Sequence, residues 1–230
     1  MIFIDRQAVR PPLQLREFHE RTLKEFGEIY KLGDVSRSQR RPDFQMPSSL
    51  TGEVRERLGL LFHRNCAYCE RAARNIDRFR PKWRASRLDR RIDPEHYWWL
   101  YGDWRNLYLA CHDCTSRKAN AFPIDGPPAA PLTFGRDLDN ELPLLVDPCV
   151  DRPEEHLSFG LNGEVVPRTR KGEVTIQLFE LNNPYLVKAR AASAAMAVLE
   201  CERMWNLNPV SRDELTFRLN RPGFRGGHFV

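Results

Sequence analysis

Two cysteine pairs, Cys66-Ala67-Tyr68-Cys69 and Cys111-His112-Asp113-Cys114, restrict this chain more than any other feature. Each Cys-x-x-Cys presents two sulfurs from one tight turn. Two such turns close a tetrahedral four-thiolate site of the kind that zinc takes, so Cys66, Cys69, Cys111 and Cys114 are the candidate metal ligands. Segments far apart in sequence must then meet in one small unit. Cys149 and Cys201 stand alone and read as packed, unreactive thiols. This usage is not a secreted disulfide framework, so a reducing compartment and a cytoplasmic location are expected. An iron site of the rubredoxin kind uses similar pairs, but nothing else suggests electron transfer. A bare zinc ribbon that only binds other proteins is the more serious rival.

Apolar residues make up 41% of the chain, enough for a buried core. No run approaches the ~20 apolar residues of a membrane span, and the first residues lack a signal-peptide layout, so no membrane partner is expected. The net charge of +5 favours a polyanionic partner. Its densest part is residues 71–91, where Asp77 and Asp89 are the acidic residues among many cations. Arg74, Arg80, Lys82 and Arg84, with Lys118 further on, are the candidate nucleic-acid contacts, because spaced cations track a phosphate backbone. A solvated loop or an acidic protein partner is the competing reading.

Along the chain, residues 1–59 read as a short strand over 1–4 and a helical arm. The strand either docks on another subunit's sheet edge or packs on its own domain. Apolar spacing predicts helices over 13–32, ended by Gly33, and over 50–64, separated by a polar, basic loop. Residues 60–125 hold the metal unit: a strand over 106–110, the second cysteine pair, and a helix over 112–121. The aromatic run 96–104 reads as the wall of this small core. Residues 126–205 contain a hairpin turning at Asn162-Gly163, a helical region from Thr175, and a helix capped by Asn183-Pro184 that runs to about Trp205. Residues 206–230 form a basic, glycine-rich tail.

Further residues carry a resemblance. Cys-x-Tyr-Cys-Glu, Ile-Asp-x-Phe-Arg-Pro-Lys, Tyr-Trp-Trp-Leu with Asp-Trp-x-Asn-Leu, and Cys-x-x-Cys followed by Lys and Phe-Pro together resemble the HNH endonucleases. Closer still, they are similar to the HNH subunits of bacterial antiphage systems of the Septu and retron-associated kind. The resemblance spans roughly residues 60–200. It implies an α+β fold with a zinc-clamped ββα-metal (His-Me finger) core embedded in helices, and a C-terminal helical region. It implies DNA as substrate, hydrolysed with one Mg or Mn ion, and an ABC/SMC-like ATPase as partner. By position, Asp77 matches the acidic metal ligand, Asn106 the residue bracing the loop between strands, and Lys118 the basic residue on the helix.

Two positions depart from this pattern. Arg78 stands where the general-base histidine is expected, and Thr115 where Asn or His usually follows the last cysteine. A guanidinium stays protonated and offers no lone pair, so Arg78 cannot take a proton from water. Losing a general base costs ~10²–10⁴ in rate. Three states stay open: an HNH enzyme impaired at its base, a degenerate fold retained to bind DNA or a partner, or an enzyme with a relocated base at His96 or His112.

Overall fold

Apolar residues recurring every three to four positions wind residues 13–30 and 48–61 into helices that turn one face inward. The computed structural model describes residues 1–30, 45–93 and 96–207. Helix α1 (Leu13–Tyr30) buries Leu15, Phe18 and Phe26. Helix α2 (Ser48–Leu61) buries Leu50, Val54, Leu58 and Leu61, and Phe62 is buried just beyond it. The expected end of α1 at Gly33 and most of the basic loop after it lie outside the described residues.

Helix α1 packs on α2, and α2 packs on a small ribbon. Strands β1 (Asn75–Arg78) and β4 (Leu107–Ala110) pair antiparallel, with Asp77 opposite Tyr108 and Arg78 opposite Leu107. All four β4 residues are buried, because α2 packs on the ribbon and the Tyr108 ring sits among Phe62, Tyr68 and Phe79. Between these strands lie a two-residue pairing of β2 (Ala85–Ser86) with β3 (Ile92–Asp93) and the aromatic turn Trp98–Leu100. Tyr97, Trp98, Trp99, Leu100 and Tyr101 are all buried, as expected for a wall of the core. Helix α3 (His112–Lys118) follows β4 directly and packs back on β1.

The C-terminal part adds α4 (Pro153–His156), the hairpin β5 (Leu157–Phe159) and β6 (Val165–Pro167), and then α5 (Arg170–Phe179) and α6 (Pro184–Leu207). The hairpin turns as its Asn-Gly predicts: Gly163 has φ +84°, a left-handed value that suits a residue without Cβ. Helix α5 starts five residues before Thr175, because Thr169 accepts a hydrogen bond from the Gly172 N–H and caps it. Asn183 caps α6 in the same way, accepting from the Leu186 N–H at 3.0 Å.

The first four residues form no strand. They run as an irregular strap that packs on its own chain: the Met1 side chain is buried and the Ile4 N–H donates to the Pro148 carbonyl at 2.8 Å. Arg6 then reaches inward, donating to the carbonyls of Trp104 and Leu107, with its guanidinium 4.4 Å from the centre of the Tyr108 ring. One apolar cluster takes residues from Met1 through Leu186. Among the described residues no helix is long and apolar enough to cross a membrane.

Candidate metal centre

Each sulfur is placed by backbone. The Cys66 N–H donates to the Arg71 carbonyl and the Glu70 N–H to the Cys66 carbonyl, which folds the first pair into a tight turn. The second pair stands where β4 becomes α3: Cys111 is the N-cap, and its sulfur accepts from the Cys114 N–H at 3.5 Å. The Ala67 N–H donates to the Leu109 carbonyl at 2.8 Å, fastening one turn against the other.

The four sulfurs lie within 4.8 Å of one another, Cys69 and Cys111 at 3.6 Å, and none is in a disulfide. Four thiolates at ~2.3 Å from a zinc ion stand ~3.8 Å apart along the tetrahedron's edges, so this donor set fits Zn(II) in a closed, structural site. Two cations offset the charge of such a centre. Burial works against the Arg71 charge, yet Asp113, Cys111 and Cys69 together hold its pKa above the ordinary guanidinium value. Arg71 also pairs with Asp113 at 2.9 Å, across the two turns. Arg190 reaches in from α6: burial draws its pKa down, opposed by Cys69 and Glu70.

Beside the sulfurs, Lys118 meets Asp77 and the Arg78 carbonyl in an inward arrangement, and Asn106 is bonded elsewhere, to Arg80 and Leu100. Asp77 Oδ2 accepts a 2.7 Å hydrogen bond from the Tyr68 hydroxyl, and the Lys118 ammonium lies 3.5 Å away. That ammonium is 1% exposed and donates to the Arg78 carbonyl at 2.6 Å. Burial lowers the Lys118 pKa below the ordinary lysine value, opposed by Asp77, and burial and Asp77 raise the Tyr68 phenol well above its usual range. The Arg78 side chain turns away along Tyr101, with its Nε on the Tyr101 carbonyl at 2.9 Å and its Cζ 3.9 Å from the ring centre. Thr115 spends its hydroxyl on the Cys111 carbonyl at 3.0 Å. Asn106 braces: it accepts from the Arg80 N–H and donates to the carbonyls of Arg80 and Leu100.

The candidate nucleic-acid contacts divide. Arg74 and Arg84 are exposed. Lys82 lies over the Trp83 ring at 4.2 Å. Arg80 is turned inward to Glu141 at 2.8 Å, where Tyr97 Oη and the Ala129 N–H also donate to the same carboxylate. Buried Lys118 presents no charge to a polyanion at the surface. His96 is held to the Ala129 carbonyl at 3.1 Å, and His112 is exposed at the start of α3. Sequence reasoning missed Glu141, Tyr68 as the partner of Asp77, and the approach of Arg71 and Arg190 to the sulfurs. For Tyr68, its place between the first two cysteines was the available signal.

These features define an α+β protein in which a four-cysteine cluster, able to hold a metal ion, ties a ribbon to the helix that follows it. No family model matches the chain. It is similar to Septu protein PtuA of Bacillus mycoides (strain KBAB4), 36% identical over 135 residues, which are 56% of this chain and 19% of that protein. It is also similar to Septu protein PtuB of the same strain, 33% identical over 151 residues, 61% of this chain and 50% of that one. The chain thus spans about a fifth and about half of the lengths of the two relatives.

Proposed function

We propose that this chain is a subunit of a Septu-type antiphage defence assembly, built on a zinc-clamped ββα unit of the HNH kind whose hydrolytic centre is replaced by an internal ion pair. The observation that carries the reading is the Lys118 ammonium, sealed between the Asp77 carboxylate and the Arg78 carbonyl. A divalent ion at Asp77 would have to displace a buried lysine and the Tyr68 hydroxyl. The base position holds a guanidinium, and the helix position holds a hydroxyl already donated to Cys111. The likeness to PtuA and PtuB supports the defence setting. A longer ATPase subunit is the partner this reading assigns, with DNA reached through exposed Arg74 and Arg84.

The test is a cleavage assay on plasmid DNA in Mg or Mn, with the purified chain and with the complex it forms with its longer partner. Neither cleaves under this proposal, while elemental analysis finds about one zinc per chain. DNA binding falls steeply with salt and weakens in Arg74→Ala/Arg84→Ala. Metal-dependent cleavage by wild type overturns the proposal. Cleavage that first appears in Arg78→His assigns the chain instead to the impaired enzymes, with a metal site that still forms.

A further inference from the structure

Helix α6 is 24 residues long, about 36 Å, and among the described residues its buried side chain and its hydrogen bonds to the body lie in its first turns. Leu186 is buried, and Arg190 donates to the carbonyls of Gly163 and Leu181. A Cβ on Gly163 would collide with Val187 and Ala191, so these positions face the hairpin. On the opposite side lie Tyr185, Ala189, Ala192, Met196, Leu199 and Arg203, alternating in steps of four and three. That spacing is the seam of a two-stranded coiled coil. Tyr185, Met196 and Leu199 are 66%, 53% and 64% exposed. From Ala192 to Leu199 the helix carries no charge. An apolar helix in water is a helix awaiting a neighbour.

We infer that this seam pairs with the same seam of a second copy of the chain, antiparallel. The sequence is complementary to itself only in that direction. Turned end for end, Met196 packs on Ala192 of the second copy and Leu199 on Ala189, so each large side chain meets a small one, while Tyr185, whose ring has the Arg71 guanidinium of its own chain 4.9 Å from its centre, faces Arg203. Beside the seam, Lys188 falls opposite Glu202 of the second copy, and the two-fold axis makes this contact twice. A parallel pair would stack alanine on alanine and Arg203 on Arg203, and would leave Lys188 beside Ser193. The alanines permit close approach, and the Arg203 guanidinium, which pairs with Glu200 of its own helix at 2.6 Å, stays exposed in that pair.

Light scattering and sedimentation of the purified full chain across a dilution series test this. A species of twice the 26.9 kDa chain mass is expected at high concentration. Met196→Glu shifts it to the single-chain mass, with zinc content and circular dichroism unchanged. Lys188→Glu weakens pairing ~10-fold by setting two like charges together twice. Adding Glu202→Lys restores it, which only the antiparallel alignment predicts. A single-chain mass at every concentration overturns the inference. So does a dimer indifferent to both Met196→Glu and the charge exchange, or a Met196→Glu defect confined to binding the longer partner subunit.

Discussion

Glu141 shows what one carboxylate holds. It accepts from Arg80, from Tyr97 and from the Ala129 N–H, and its own side chain has no exposure. Removing one member of a buried charged pair strands the other in low dielectric and costs ~3–5 kcal/mol. Glu141→Ala should therefore lower the urea midpoint sharply, with zinc content unchanged. Tyr108 gives a pH prediction. Burial and then Asp147 raise its phenol well above 10.0. As pH rises past 10, the unfolded chain loses a proton that the folded chain keeps, so stability falls. In Tyr108→Phe this alkaline loss should be shallower, read as the pH dependence of the unfolding free energy. Neither group's role is legible locally: Arg80 looks like a phosphate contact among many cations, and its acceptor lies 61 positions away.

At the scale of elements, local signals succeeded where one short stretch decides the outcome. The apolar period of α1 and α2, the Asn-Gly turn and the Asn183 cap were each read correctly from neighbouring residues. The strap at residues 1–4 was misread as a strand, because an apolar run does not say whether a partner strand lies alongside it; here its contact is a loop carbonyl. The inward turn of Lys118 escaped for the same reason, since burial is set by the fold around it. Helix α6 depends on its seat at the hairpin. Gly163→Ala adds a Cβ against Val187 and Ala191 at a left-handed φ, and should cost about 2 kcal/mol or more. Asn183→Ala removes one cap and should cost ~1 kcal/mol. Thermal unfolding of both variants checks the order of these effects.

Across the whole molecule, the sulfur cluster joins the turn after α2 to the helix after β4, and both pairs of that clamp were legible in the sequence. Its electrostatic surroundings were not, because Arg190 arrives from a helix more than seventy residues later in the chain than the last sulfur. That guanidinium has two duties. Cys69 and Glu70 favour its charge against burial, and it donates to the two carbonyls that root α6. With zinc in the cysteine cluster, as proposed, chelation would take away an anionic centre near this guanidinium and loosen its grip. Amide hydrogen exchange after chelation should therefore accelerate through residues 184–191 as well as around the cysteines. The long helix is in this sense a lever whose fulcrum sits beside the cysteine cluster, so a metal held there would bear on how firmly the lever is seated.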